Sequence, residues 1–269
     1  MLIATWNVNS IRARVDRVTA WLERTGVDVL VMQETKCKDA QFPTMPFEAI
    51  GYEVVHHGLS QWNGVAIASR VGIADVATSF EGVPGWGEPA VVEARALGAT
   101  CGGVRVWSLY VPNGRTLEDP HYAYKLEWLA ALRADAAQWS SSEVPTALMG
   151  DWNIAPLDTD VWDREFFEGA THVSALERDA FTAIQETGFA EVTREHTPNA
   201  YTYWDYTQLR FPKNQGMRID FALGNPALQS LVTGAAIDRE ERKGKGASDH
   251  VPVIVELNTA GLSAAGSSE

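Results

Sequence analysis

Cysteine is scarce: Cys37 and Cys101 are the only two in 269 residues. That excludes a disulfide-stapled scaffold, and both are expected to be reduced, packed thiols. No apolar run approaches the roughly 20 residues needed to cross a bilayer. Met1 leads straight into LIATW with no basic flank or cleavage site, so neither a membrane span nor a secretory leader is expected, and the cytoplasm is the expected location. Basic residues are outnumbered, 22 Lys and Arg against 35 Asp and Glu, for a formal net charge of −13. This argues against a protein that grips nucleic acid by bulk attraction, although the distribution of charge matters more than its sum. There is no repeat at solenoid spacing, and the one biased stretch is AGLSAAGSSE at 260–269, expected to be a disordered tail after a single domain over 1–259.

Strand-like runs recur: LIATWN, VDVLVMQE, YEVVHHG, GVAIAS, AVVEARAL, VRVWSLYV, PTALMGD, MRIDFALG and VPVIVEL. They are rich in β-branched and aromatic residues and bounded by Gly, Asn or Asp. Fewer segments read as helices. Ile11, Val15, Val18 and Leu22 have helical spacing behind an Asn9 or Ser10 cap and ahead of Gly26. Asp119-Pro120 starts a second helix that buries Tyr122, Leu126, Leu129 and Leu132. SALE at 174–177 reads as the capping box of a third, ending near Gly188. Many strands with few, irregularly placed helices point to two packed sheets flanked by helices.

The polar residues gather where the strands end. LIATWN closes on Asn7, VDVLVMQE on Glu34, VRVWSLYVPN on Tyr110 and Asn113, PTALMGD on Asp151 with Asn153 beyond it; MRID carries Asp220, and SDH places Asp249 and His250 before the last strand. One carboxylate at a strand end is ordinarily a turn former or cap. Several in one cleft, about 4 Å apart, would repel by about 4 kcal/mol per pair at an effective dielectric of 20, so a positive charge must sit among them. Oxygen donors without a cysteine or multi-histidine set favour a hard divalent cation, Mg²⁺ first, over a structural zinc. Asp220 beside His250 would raise the imidazole pKa and keep it cationic near a phosphate.

The basic residues that do exist are clustered: Arg12, Arg14 and Arg17; Lys36 and Lys38; Arg210, Lys213 and Arg218; Arg239, Arg242, Lys243 and Lys245. Each cluster lies in or beside one of these motifs, which makes them candidates for a phosphate-binding rim. His56, His57, His172 and His196 lack metal-ligand spacing and read as structural. Trp152 reads as packing under the site, with contact to a nucleic acid as the alternative, and Trp86 as a loop anchor.

In order and spacing, WNVNSIRAR, QETK, YVPNG, GDWNIAP, YTYWDY, RIDFAL and SDHVPV resemble the exonuclease III type of apurinic/apyrimidinic endonuclease, within the DNase I-like endonuclease/exonuclease/phosphatase superfamily. The resemblance covers nearly the whole chain. It implies a four-layer α/β sandwich, with two mixed sheets face to face and the active site at one edge. It also implies a Mg²⁺-dependent DNA repair phosphodiesterase, with Mn²⁺ as a substitute, that cuts 5′ to abasic sites in duplex DNA and removes nucleotides or blocking groups from 3′ ends, as a monomer. By the same resemblance Glu34 is the principal metal ligand, with Asn7, Asp151, Asn153, Asp249 and His250 as further candidates. Asp151 orients or deprotonates the water, with Asn153 beside it; Asp220 and His250 form the Asp-His pair, and Tyr110 contacts the phosphate and aids the leaving oxygen. Asn9, Arg12, Asn113 and Arg218 are implied substrate contacts, and Tyr203 and Trp204 the wall of a pocket for a base-less sugar. Asn9 stands where some members carry Asp. Two other readings keep the fold: a hydrolase of RNA, inositol phosphate or phospholipid, and a catalytically silent DNA-binding protein.

Overall fold

Runs without alternation become strands buried on both faces. The computed structural model describes residues 1–262; of the expected tail, 263–269 lie outside the described residues. The first half of the chain forms β1 (Leu2–Asn7), α1 (Ile11–Thr25), β2 (Val29–Gln33), α2 (Met45–Ala49), β3 (Glu53–His57), β4 (Val65–Ser69), β5 (Ala74–Ala77), β6 (Ala96–Cys101) and β7 (Val104–Tyr110). The second half forms α3 (Pro120–Trp139), β8 (Thr146–Asp151), α4 (Ala175–Gln185), β9 (Ala190–Glu191), β10 (Asp220–Gly224), α5 (Pro226–Gln229), β11 (Val232–Ile237) and β12 (Val253–Leu257). They make two six-stranded mixed sheets, ordered β11-β12-β1-β2-β4-β3 and β5-β6-β7-β8-β10-β9.

Every residue of β2, β4 and β8 is buried, whereas the edge strands β3 and β5 are partly exposed. The inner faces meet through Ile3, Val31 and Ile67 of one sheet and Val106, Met149 and Ala222 of the other. The outer face of the first sheet packs Trp6, Leu30 and Met32 against Val18, Trp21 and Leu22 of α1. That of the second packs Trp107, Leu148 and Phe221 against Trp128 and Leu132 of α3 and Phe181 of α4. Helix, sheet, sheet, helix is the expected four-layer sandwich.

Capping follows the sequence at two of three helices. Asp119 accepts from the His121 amide and Ser174 with Glu177 forms the capping box. α1 starts at Ser10 without a side-chain cap, because Ser10 has φ 85° and the Asn9 amide is turned toward Asp249; Gly26 closes the helix in the left-handed conformation as expected. The run AVVEARAL becomes a strand only from Ala96, because Glu93 and Arg95 pair with each other and the Arg95 guanidinium lies over the Tyr110 ring. YTYWDY forms no strand; Tyr203 alone makes isolated bridges, to Met217 and His250. Cys37 and Cys101 are buried free thiols, and no helix of the described residues is long and apolar enough to cross a membrane.

The topology explains why polar residues collect at one edge. β1 and β2 run parallel, as do β7 and β8, so Asn7, Glu34, Tyr110 and Asp151 all lie at or just past carboxyl ends. β10 is antiparallel to β8 with Asp220 opposite Asp151, and β12 is antiparallel to β1, so Asp220 and His250 enter at the same edge. Gly150 holds Asp151 there by close approach. A Cβ at Gly150 would stand 1.8 Å from the Leu109 carbonyl oxygen of the neighbouring strand. Gly150→Ala is therefore expected to destabilise the fold by about 3 kcal/mol, the upper range for overpacking, as read by urea unfolding; wild-type stability would contradict this close contact.

Candidate active site

Glu34 leaves β2 with φ 53°, a conformation uncommon for a side chain of its size. Asn9 and Asn153 share it, at φ 42° and 50°, and for asparagine the cost is lower. Strain of this kind persists where the surrounding fold over-determines the backbone. Here the carboxylates are tied through one amide: Asn7 Nδ2 donates to Glu34 Oε1 at 2.8 Å and to Asp151 Oδ2 at 2.9 Å. Asn7 Oδ1 in turn accepts from the Asn9 amide at 3.0 Å, so Asn7 bridges the two acids and its oxygen is occupied. The Ser248 hydroxyl donates to the Asn7 carbonyl and Trp6 Nε1 to the His250 carbonyl, which pins the SDH segment to β1.

Asp151 is 1% exposed. Its Oδ1 accepts from the Asn153 amide at 2.9 Å, and its Oδ2 lies 3.7 Å from His250 Nε2. On the far side of the imidazole, His250 Nδ1 is 2.9 Å from Asp220 Oδ2, which also accepts from the Thr202 hydroxyl at 2.6 Å. Burial pushes the Asp151 carboxyl up to about 7, with Asp220 and Glu34 adding to the rise and His250 opposing it. Burial alone would lower His250, but the Asp220 and Asp151 carboxylates outweigh it and raise the imidazole to about 10. Glu34 goes the other way: despite burial, Lys36, Asn7 and His250 hold its carboxyl below the usual range. Burial, then the neighbouring Glu34 carboxylate, push the Tyr110 phenol well above its usual range, so it keeps its proton.

Oxygen atoms of Glu34 and Asp151 and a nitrogen of His250 all lie within 4.8 Å of one another. The cation now between Glu34 and Asn9 is Lys36, whose Nζ is 2.7 Å from Glu34 Oε2 and 2.5 Å from Asn9 Oδ1. Two converging carboxylates with a displaceable ammonium beside them fit a divalent ion bound by oxygen. Since His250 is flanked by Asp220 and Asp151, whose carboxylates raise its pKa to about 10, Glu34 and Asp151 are the fitting ligands and the imidazole favours the role of donor. Asp249 stands at the rim, accepting from Asn9 Nδ2 at 3.0 Å.

Other expected residues divide. Asn113 is exposed and donates to Asn153 Oδ1 at 3.1 Å, and the Tyr203 ring packs on His250 at 4.9 Å between centroids. Trp204, by contrast, is 1% exposed and packs on Phe211 under the Arg239 guanidinium; adjacent residues of an extended segment face opposite ways, so Tyr203 takes the cleft and Trp204 the interior. Arg218 is likewise 1% exposed, its guanidinium donating to the Thr197 carbonyl and the Thr193 hydroxyl, which removes it from any phosphate. Arg12 is exposed on the first turn of α1. Two of the four basic clusters meet: Arg14 reaches the Tyr206 hydroxyl and Arg242 lies over the Tyr206 ring, with Arg239 and Arg242 over Phe211, whereas Arg210 packs on Trp162 and Phe166. Arg17 is neutralised by Glu241.

One residue read as structural belongs to the site. His172 Nε2 lies 3.1 Å from Asn153 Oδ1 and 3.3 Å from Asn113 Nδ2. Burial, with the nearby Lys125 ammonium, lowers its pKa to about 4, so the ring is neutral. Nothing local in THVS marks it; the pairing of the Ala155 amide with the His172 carbonyl brings it in. Trp152 and Trp86 behave as read, the first fully buried, the second packed on Tyr124.

The sequence matches the Endonuclease/Exonuclease/phosphatase family over residues 4–250. It is 27% identical to exodeoxyribonuclease III of Haemophilus influenzae, covering 96% of this chain and 100% of that one. Among solved structures it is similar to a 3′-5′ exonuclease (NExo) from Neisseria meningitidis, at 35% identity and TM-score 0.90 over 96% of this chain and 100% of that one. An AP endonuclease from Archaeoglobus fulgidus is similar at 34% identity and TM-score 0.89, over 96% and 99% of the two chains. With its two mixed sheets and its acidic strand ends, the chain belongs to the endonuclease/exonuclease/phosphatase family.

Proposed function

We propose that this protein is a Mg²⁺-dependent DNA repair nuclease that cuts duplex DNA 5′ to abasic sites and removes nucleotides or blocking groups from 3′ ends. The nuclease activity follows the exodeoxyribonuclease relatives. The observation that carries the reading is the convergence of Glu34, Asp151 and His250 within 4.8 Å, with His250 held as a cation by Asp220.

Hydrolysis of a phosphodiester needs a water in line with the departing oxygen, neutralisation of the phosphate and help for the leaving group. Asp151, a buried carboxylate with a raised proton affinity, takes a proton from that water. Asn153 and Asn113 orient the water and a phosphate oxygen. The His250 imidazolium donates from Nε2 to a non-bridging oxygen, a charge-assisted bond in a buried setting. Tyr110, kept protonated, supplies a proton to the 3′ oxygen or holds it. A Mg²⁺ ion held by Glu34 and Asp151 would polarise the phosphate and neutralise charge on the leaving oxygen. Tyr203 forms one wall for the sugar, and Arg14 and Arg242 contribute positive charge to the rim, so affinity should fall steeply with salt.

The test uses three end-labelled duplexes: one with a single abasic analogue, one with a recessed 3′ end, one with a 3′ phosphate. Each should be processed with Mg²⁺, and EDTA should cut the rate by at least about 10³-fold, several kcal/mol of transition-state stabilisation. Intact DNA with phosphate released from an inositol ester would move the reading to another substrate class. Tight DNA binding with no cut would leave a silent binding protein.

A further inference from the structure

Asn113, Asn153 and His172 are gripped from the interior by an ion pair that the chemistry above does not use. Lys125 of α3 and Glu177 of α4 are both fully buried and directly paired. Taking two such charges out of water costs about as much as their attraction returns, so stability alone is a poor reason for the pair. Its other bonds run to the site. Lys125 Nζ donates to the Asn153 carbonyl at 2.6 Å and to the Asn113 carbonyl at 3.3 Å. Glu177 Oε1 accepts from the His172 amide at 2.9 Å. The Thr171 hydroxyl sits between Glu177 Oε1, at 2.7 Å, and the Asn113 carbonyl, at 3.0 Å.

The three backbones tied this way belong to the three side chains that meet at Asn153 Oδ1. Two of them, Asn153 and His172, hold φ of 50° and 77°, which the surroundings must impose. We propose that Lys125 and Glu177 are positioning residues for phosphodiester hydrolysis: their ion pair locks the loops after β7 and β8 and the segment 171–173 together, so that Asn113, Asn153 and His172 present one rigid polar face to the phosphate. The proposal rests on the nuclease reading of the site.

Three variants test it: Lys125→Met, Lys125→Arg, and Thr171→Val, which keeps the ion pair and deletes only the hydroxyl. Thermal unfolding is measured first, then kcat and KM on the duplex that wild type processes at saturating Mg²⁺. Thr171→Val should unfold close to wild type, lose about tenfold in kcat and leave KM nearly unchanged. Lys125→Met should lose about 100-fold, the scale expected when catalytic groups shift by about 1 Å, and Lys125→Arg should recover part of it. In free protein, nuclear magnetic resonance of the Asn153 side-chain amide and the His172 ring should change in Thr171→Val. Folded variants with wild-type kcat, KM and resonances would overturn the proposal, as would losses that track only the unfolded fraction. If Lys125→Met does not fold, Thr171→Val decides alone. If wild type cuts no DNA while the resonances still respond, the nuclease reading fails and the mechanical link stands.

Discussion

Asp151→Asn should reduce turnover on DNA by about 10³-fold, within the range a positioned general base contributes, with the fold intact. The replacement is isosteric, so the oxygen that accepts from the Asn153 amide at 2.9 Å and the packing of a side chain in a residue 1% exposed are retained. What is lost is the ability to take a proton, together with one ligand for the divalent ion and the acceptor that Asn7 Nδ2 uses. Asp151 sits among Glu34 and Asp220, whose charges add to burial in raising its pKa; relief of that repulsion offsets the lost bond from Asn7, and the variant should unfold close to wild type in a thermal scan. Removing a negative charge beside the phosphate should leave DNA affinity equal or tighter. A variant that binds DNA yet retains more than a tenth of wild-type kcat would show that another group takes the proton.

Asp220→Asn should lower turnover by about 10²-fold at pH 8, comparable with losing one charge-assisted donor to the phosphate, and should move its alkaline limb. His250 is raised from 6.5 to about 10, burial working against the rise and Asp220 being the largest of the three carboxylates, with Asp151 and Asp249, that produce it. The imidazolium is thus present through neutral pH and lost as pH climbs through about 10. By linkage, the stability that the pair contributes is complete below 6.5 and disappears as pH rises through about 10. Without Asp220, burial pulls the imidazole down, and both the fall in kcat and the loss of stability shift to lower pH. An unchanged pH profile in Asp220→Asn would mean that His250 does not act as a cation.

Much of this was legible in the residues. The continuous apolar runs of β2, β4 and β8 read as strands, and they lack alternation because sheet and helix cover them on opposite sides. Polar residues terminating those runs marked the site, because parallel strands end at a common edge and their antiparallel neighbours begin there. What one-dimensional pattern could not show depends on contacts between distant segments. Trp204 and Tyr203 are equally aromatic, and only the Tyr203 ring against His250 and the burial of Trp204 settle which enters the cleft. Arg218 looks like a phosphate ligand until Thr193 and Thr197 occupy it. His172 and Lys125 carry no local signal at all: one is a loop histidine, the other a lysine inside a helical stripe, and each is recruited through Asn153.

Mn²⁺ titration followed by electron paramagnetic resonance, on wild type, Glu34→Gln and Asp151→Asn, addresses the acidic cluster most directly. Wild type should take up the ion at Glu34 and Asp151 in exchange for Lys36, and Glu34→Gln should weaken that binding at least about tenfold, roughly 1.4 kcal/mol, in step with the Mn²⁺ needed for cleavage. Equal Mn²⁺ affinity in wild type and Glu34→Gln, with cleavage unaffected, would contradict a catalytic metal held where these strands end.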